Sequence, residues 1–325
     1  MPLSHNQRTR KAVITAAGRG TRQFPATRAI QKELLPLVGM DGLTKPTIQI
    51  IIEECLASGI EEIGIVVEKG GQEPFLNHFR DFSSEERRTF ASKEWMLTEG
   101  DRITDMARRI TFIEQPAPEG FGHAVYQAKD FVGEEPFLLL LGDHVYTTPE
   151  GVAPCVQQIL DLGERSGGSI TSVRFEKEAD ISITGIVKGK LMSDNEIAPG
   201  SVVDIETLQE KPTIEQARVS LVTPGLPEGI YLGHFGLHLF QSAIFDCLGH
   251  LIKNNIRVKN EFQLTSGQEL LLQKSLAGDG PPYRAAILNG TRWDTGMPDV
   301  YLETLLAYGL RGPYSALLRR LAGES

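Results

Sequence analysis

The chain has little that would brace it covalently and nothing that would anchor it in lipid as a long apolar run. Among 325 residues only three are cysteine: Cys55, Cys155 and Cys247. They are odd in number, far apart and set among apolar neighbours. This excludes a disulfide framework and CxxC metal spacing, and suits reduced thiols. The longest apolar run, residues 137–141, is far short of the roughly 20 residues that cross a bilayer. The first ten residues are polar and lack the apolar core of a secretion signal. Lys and Arg number 33 against 42 Asp and Glu, giving a net charge of −9. Nucleic acids are bound by clustered cations and are therefore not the expected partner. The expectation is a cytoplasmic protein, free of membrane and nucleic acid, that handles small molecules. Two familiar phosphate signatures are also missing. Gln23 stands where a dinucleotide fingerprint would need its third glycine, and no Gly-Lys-Ser/Thr tripeptide occurs.

With 41% hydrophobic and 23% charged residues, the composition is that of a folded globular protein rather than a disordered one. Apolar segments alternate in period. Residues 11–16, 63–67, 110–113 and 136–141 read as buried strands, and 47–58, 74–82 and 123–131 as helices. In the first helix Ile48, Ile51, Ile52, Cys55 and Leu56 share a face, and Gly59 supplies the stop. The charged stretch 83–110 reads as an exposed helical excursion. Short apolar strands alternating with helices imply an α/β protein with a mostly parallel sheet covered on both faces. Beyond about residue 175, strands at 184–190, 202–209 and 230–239 crowd into a smaller mixed or antiparallel subregion. Helices follow at 242–253, 263–274, 298–309 and 314–321. No repeat, low-complexity tract or long linker interrupts the chain, which favours one fused catalytic unit.

Chemistry concentrates where the expected strands end. After residues 11–16 comes Gly18-Arg19-Gly20-Thr21-Arg22, with a further cation at Lys32. Glycines let a backbone lie against a bulky anion, and the free N–H groups of such a turn form an anion-binding concavity. Arg22 and Lys32 can neutralise a triphosphate held there. A plain glycine-rich turn with solvated arginines fits the spacing equally well. After residues 136–141 stands Gly142-Asp143-His144. An Asp beyond an apolar strand needs a cation, and Mg2+ shared with substrate phosphates is the usual one. A turn or helix cap is the alternative. Asp294, in Trp293-Asp294-Thr295-Gly296, offers a second carboxylate for the same metal or merely starts a turn. Glu210-Lys211-Pro212 closes the expected strand 202–209. Glu suits sugar hydroxyls and Lys a phosphate, although surface charge would also produce the tripeptide. Gln115 can read a base edge, and Gly120 and Gly122, ahead of His123, leave room for a planar ring. His144 is expected to line the site rather than ligate metal. His234 and His238, four apart with no acidic partner, are expected to be packing or surface histidines.

Jointly the blocks AAGRGTR at 16–22, PATRAIQKELLPL at 25–37, GFGHAV at 120–125, GDH at 142–144, EKP at 210–212, EFQLT at 261–265 and WDTG at 293–296 are specific. They resemble the bacterial UTP–glucose-1-phosphate uridylyltransferases of the sugar-phosphate nucleotidyltransferase family, from residue 11 to about 309. The resemblance implies a Rossmann-like fold: a mixed, mostly parallel central sheet flanked by helices, a small secondary β-subregion and C-terminal helices. It implies the reaction of UTP with glucose 1-phosphate to give UDP-glucose and pyrophosphate, assisted by Mg2+. Nucleotide contacts would come from Ala16, Ala17, Gly18, Gly20, Thr21, Gln115, Gly120, Gly122 and His123. Asp143 and Asp294 would hold the metal, and Gly185, Glu210 and Lys211 the sugar phosphate. Arg22, Lys32, Asp143 and Lys211 form the implied catalytic set. The implied layout is an N-terminal tail, 1–10, disordered; a catalytic domain, 11–310, with a nucleotide half to about 175 and a sugar-phosphate half over 176–296; and a helical tail, 311–325. A homo-oligomer, dimer or tetramer, is also implied. The chain departs from the family pattern at Gln31, usually Pro; at the inserted residues 39–44; at Gly142-Asp143-His144, closer to the thymidylyltransferase style; and at His234, usually Arg. Two other functions share these features: a thymidylyl- or other nucleotidyltransferase acting on a related hexose 1-phosphate, and a non-catalytic nucleotide-sugar-binding paralogue. The latter would be expected to lose its charge-neutralising residues first, and this chain keeps them.

Overall fold

Lys11–Thr15 (β1) reads Lys-Ala-Val-Ile-Thr, and in the computed structural model, which describes residues 8–192 and 197–323, Ala12, Val13 and Ile14 are fully buried. A strand hidden on both faces belongs inside a sheet covered on both sides. The further strands, in chain order, are Pro36–Val38 (β2), Thr44–Pro46 (β3), Glu62–Glu68 (β4), Ile110–Gln115 (β5), Phe137–Leu141 (β6), His144–Thr147 (β7), Ser169–Lys177 (β8), Gly185–Leu191 (β9), Val202–Glu210 (β10), Ile230–Phe240 (β11), Tyr283–Ile287 (β12) and Thr291–Asp294 (β13). Nine of them form one mixed sheet in the order β5-β4-β1-β6-β11-β8-β12-β10-β9, with β11 also touching β9. β7 with β13, and β2 with β3, make two antiparallel ribbons.

Parallel pairing runs through β5, β4, β1 and β6 and recurs between β8 and β12. The other contacts are antiparallel. Parallel pairing thus prevails in the N-terminal half and not across the whole sheet. The expected β-subregion is not a separate sheet either: β9 and β10 extend the central one. The expected division near residue 175 falls inside β8, whose nine residues run on as one strand.

The two-residue period of the strands divides the core. Ala12, Ile14, Leu138 and Leu140 meet Ile48, Ile51 and Ile52 of helix Thr47–Ala57 on one face. Val13, Phe137 and Leu139 meet Phe245, Leu248 and Leu271 of helices Ala243–Lys253 and Leu264–Ala277 on the other. Full burial of each such valine, leucine, isoleucine or phenylalanine side chain stabilises by about 1.5–3 kcal/mol. The first helix does stop before Gly59, whose φ is +90°. The charged stretch becomes helices Ser84–Thr89 and Glu94–Ala107, the former opened by a Ser83–Glu86 capping box.

Six strands, β2, β3, β7, β8, β12 and β13, and helices Cys155–Ser166 and Ile214–Ser220 were not foreseen. β8 shows why. Ser169, Thr171 and Ser172 are fully buried in it. Ser172 Oγ donates to the Leu237 carbonyl at 2.5 Å, and Thr171 Oγ1 lies 2.8 Å from His238 Nδ1. Hydroxyls satisfied across the sheet make a central strand without an apolar run. Residues 1–7 of the expected tail and residues 324–325 lie outside the described residues. Arg8 to Arg10 pack on the body: Thr9 is buried, and Arg10 reaches Glu135 at 3.0 Å and Glu61 at 3.5 Å. Helix Ser315–Leu321 ends the described chain. Among the described residues no helix is long and apolar enough to cross a membrane.

This topology creates one chemically rich edge. β1 and β6 end side by side, with Thr15 opposite Leu141. The β7–β13 ribbon sets Asp294 opposite His144, directly after Asp143.

Candidate active site

The loop leaving β1 is held open by its glycines. Gly20 has φ +59°, and a Cβ there would lie 2.8 Å from Thr27 Cγ2. Thr27 Oγ1 donates back to the Gly20 carbonyl at 3.1 Å and closes the turn. The chain returns through Lys32–Leu34, and the Lys32 ammonium passes 3.5 Å from where a Gly18 Cβ would sit. Lys32 Nζ donates to Asp143 Oδ2 at 2.5 Å and lies 3.6 Å from Glu33 Oε1. Arg22 lies 3.5 Å from Asp294 Oδ2. The two cations foreseen for phosphates therefore face the two carboxylates foreseen for metal.

Several backbone contacts hold the carboxylates in place. Thr295 donates to the Asp143 carbonyl from N at 2.8 Å and from Oγ1 at 3.0 Å, while Gln23 Nε2 donates to the Thr295 carbonyl at 2.7 Å. Gly296 N donates to Asp294 Oδ1 at 2.9 Å. A Cβ on Gly296 would lie 2.6 Å from Asp143 Oδ2 and 2.9 Å from Asp294 Oδ1, so only glycine leaves the space between them free. His144 joins this pair more closely than expected. Ligand atoms of Asp143, His144 and Asp294 all lie within 4.8 Å of one another. Its Nε2 is 3.8 Å from Asp294 Oδ2, and its ring packs on Gly236 of β11.

Burial opposes the Lys32 charge, but Asp143 and Glu33 outweigh it and hold the ammonium above its ordinary pKa. Glu33 is pushed up to about 8 by burial, only partly opposed by Lys32, and neither of its carboxylate oxygens has a hydrogen-bond partner. Burial also works against Asp294, yet His144, Arg22 and the Gly296 amide keep it well below the usual carboxylate range. Burial pushes His144 down, so it is neutral at pH 7.

Beside the loop opens a cleft of about 340 Å³, lined among others by Ala17, Gly18, Lys32, Gln115, Gly120 and Asp143. Gln115 Nε2 donates to the Gly120 carbonyl at 3.2 Å and lies 3.1 Å from His123 Nδ1. His123 in turn lies 3.5 Å from Glu119, behind Gln115 rather than on the cleft wall. The space that Gly120 and Gly122 leave is not a ring-sized gap. A Cβ on either would strike the Phe262 carbonyl, at 2.7 and 2.8 Å, so the backbone of 261–263 occupies it. Gly120 still faces the cleft, whereas Gly122, Ala16, Gly20 and Thr21 are not among its lining residues.

A second group forms at the far end of β9 and β10, where Gly185 pairs with Glu210. Glu210 Oε2 accepts from Thr265 Oγ1 at 2.7 Å and lies 3.0 Å from where a Gly185 Cβ would be. Lys211 follows in the left-handed region, φ +44°, with Nζ 3.8 Å from Glu210. His234 is buried, as a packing histidine would be, and among the described residues no carboxylate bonds to its ring, although Glu210 lies on the same side. Its Nδ1 lies 3.5 Å from the same Gly185 position, on the Glu210 side, and burial pushes its pKa down to about 4. His238 is a packing residue, bonded to Thr171 and stacked on Phe240 at 5.2 Å. Thr265 and His234 were missed beside Glu210, as was Arg292, whose Nη1 donates to the His234 carbonyl at 3.3 Å. Arg292 could have been suspected from its place two residues before Asp294, on the same face of β13.

In an α/β sheet ligands bind beyond the carboxyl ends of the strands, and here a glycine-rich loop after β1 meets Asp143 after β6 and Asp294 at the end of β13. The chain belongs to the nucleotidyl transferase family, whose family model matches residues 11–308. A UTP–glucose-1-phosphate uridylyltransferase of Streptococcus pneumoniae is 35% identical over 310 residues, covering 94% of this chain and 92% of the relative. One from Bacillus subtilis is 33% identical, over 89% and 86% of the two chains. Among solved structures, a UTP-bound UGPase of Acinetobacter baumannii superposes with TM-score 0.74 at 25% identity, covering 97% of this chain and 99% of its own.

Proposed function

We propose that this protein transfers the uridylyl group of UTP to glucose 1-phosphate, forming UDP-glucose and releasing pyrophosphate. The observation that carries this reading is the meeting of Lys32 with Asp143, and of Arg22 with Asp294, beside a cleft floored by Ala17 and Gly18. The names of the relatives accord with it. UTP lies in the cleft, its base toward Gln115 and Gly120 and its phosphates toward Gly18, Arg22 and Lys32. The hexose lies at Glu210 and Gly185, with its phosphate near Lys211. The first of these regions belongs to the nucleotide half and the second to the sugar-phosphate half.

A hard divalent cation suits the donor set. Two carboxylates converge, Gly296 leaves the space between them clear, and Mg2+ favours carboxylate and phosphate oxygens. Asp143 and Asp294 would hold it, and when bound it supplies charge neutralisation at the α-phosphate. The chain's own residues then position two polyanions. A phosphate oxygen of the hexose 1-phosphate attacks the α-phosphorus, the α–β bridging bond breaks, and pyrophosphate leaves with its electrons. The nucleophile is already anionic, so no general base is needed. His144 and His234, neutral at pH 7, add no charge. Lys32 and Arg22 meet the leaving pyrophosphate, and the remaining catalysis is orientation and electrostatics. We place the protein in the cytoplasm, where its buried free cysteines stay reduced, as a homo-oligomer.

The test is pyrophosphate release across four nucleoside triphosphates and several hexose 1-phosphates with Mg2+. UTP with glucose 1-phosphate should give the highest kcat/KM. A preference for thymidine triphosphate or another hexose would redirect the reading, and absence of turnover with every pair would remove it.

A further inference from the structure

A partly buried cation beside the site, Arg292, has no anion among the described residues. Side chains alternate along β13, so Arg292 and Asp294 share a face, while Trp293 turns away and donates from Nε1 to Thr147 Oγ1 at 3.0 Å. Lys32 pairs with Asp143, Arg22 with Asp294, Lys211 with Glu210, and Arg174 with Glu176 at 2.7 Å. Among the described residues no carboxylate stands at ion-pairing distance from Arg292. Its Nη1 donates to the His234 backbone carbonyl at 3.3 Å, and its Nε is buried with no partner. Leaving a half-buried guanidinium uncompensated is costly, and an incoming anion would remove that cost.

Its position says which anion. His234, whose carbonyl it holds, reaches toward Gly185 on the Glu210 side; Asp294, two residues on, reaches the Asp143 pair. Arg292 therefore stands between the sugar end and the carboxylates. On the proposed function, on which this inference rests, a hexose at Glu210 must present its phosphate to an α-phosphorus at the carboxylates. The group spanning that interval is the phosphate of the sugar.

We propose that Arg292, together with Lys211, binds the phosphate of the hexose 1-phosphate and holds its attacking oxygen in line with the α-phosphorus. The division of labour suits the two side chains. Lys211 is half exposed, a mobile point charge. Arg292 is anchored through His234 and offers a planar fork that can hold two phosphate oxygens at once.

The test uses Arg292→Met and Arg292→Lys in the full chain, with UTP, glucose 1-phosphate and Mg2+. Losing a hydrogen bond to a charged group corresponds to roughly a 10- to 100-fold effect. Arg292→Met should raise KM for glucose 1-phosphate by that factor and leave KM for UTP within about twofold. Arg292→Lys should recover part of the loss. Because an uncompensated charge is removed, Arg292→Met should melt no lower than wild type, whereas a structural bracing role would lower its melting temperature and leave both KM values alone. An unchanged KM for glucose 1-phosphate overturns the assignment. So does a defect confined to a hexuronic acid 1-phosphate, which would place Arg292 at the sugar's ring carboxylate instead. If wild type turns over no hexose 1-phosphate, the functional reading fails by itself. Calorimetric binding of glucose 1-phosphate to wild type and Arg292→Met then decides the Arg292 assignment: equal affinity, or no binding to either, overturns it.

Discussion

Replacing Lys32 by Met keeps most of the side-chain volume and removes one charge, with two separable consequences. Lys32 Nζ sits 2.5 Å from Asp143 Oδ2, and the Asp143 side chain is only 4% exposed. In the transition state the lysine neutralises charge on the phosphates. Losing one positioned donor of this kind typically costs about 2.7–4 kcal/mol, or a 10²–10³-fold fall in kcat. In the resting protein the substitution strands a buried carboxylate. Breaking a buried pair from one side costs on the order of 3–5 kcal/mol. The assay pairs a pyrophosphate-release measurement with thermal unfolding in EDTA and in Mg2+. Lys32→Met should lose 10²–10³-fold in kcat, melt several degrees below wild type in EDTA, and regain part of that difference in Mg2+. A kcat within fivefold of wild type, or an unchanged melting temperature in EDTA, would refute the reasoning.

Three further outcomes are expected. Gly296→Ala places a methyl 2.6 Å from Asp143 Oδ2, so turnover should fall at least about 10²-fold and the Mg2+ needed for half-maximal rate should rise, as a metal titration would show. Thr265→Val removes the 2.7 Å hydroxyl donor to Glu210; KM for glucose 1-phosphate should rise about 3- to 10-fold with KM for UTP unaffected in steady-state kinetics. Glu54, which accepts from Val156 N at 3.1 Å, has its pKa pushed up to about 7 by burial. The folded protein therefore holds a proton that the unfolded chain has released: the stability is fully present below about pH 4.5, and is lost as pH rises through 7, by up to about 3 kcal/mol. Denaturant unfolding of Glu54→Gln should lack that decline, and an identical pH profile would count against it.

The parts of the fold and site that could be read along the chain are those in which one strand runs directly into its functional turn. β1 into Gly18–Arg22 and β6 into Gly142-Asp143 are local, their apolar runs are unbroken, and both turns lie where the sequence suggested. The rest depends on partners distant in sequence. β8 is central yet carries Ser169, Thr171 and Ser172, whose hydroxyls are satisfied by β11 and by Gln241 directly after it, far along the chain. Gly120 and Gly122 looked like space for a ligand because nothing local shows the 261–263 backbone that fills it. His234 and His238 look alike in sequence, but β11 shifts register between them. Their rings lie 5.8 Å apart, yet one reaches Gly185 and the other packs on Phe240. Arg292 shows the same limit: an arginine in a strand ordinarily finds a carboxylate, and only the assembled site shows that this one does not.

Direct transfer between two bound polyanions, without a covalent enzyme intermediate, is tested most directly by a single-turnover experiment with UTP labelled at the α-phosphate, glucose 1-phosphate and Mg2+. The label should pass straight into UDP-glucose, one pyrophosphate appearing for each UDP-glucose formed, with no labelled protein at any time. Label trapped on the protein, label released as UMP, or pyrophosphate formed without UDP-glucose would contradict it.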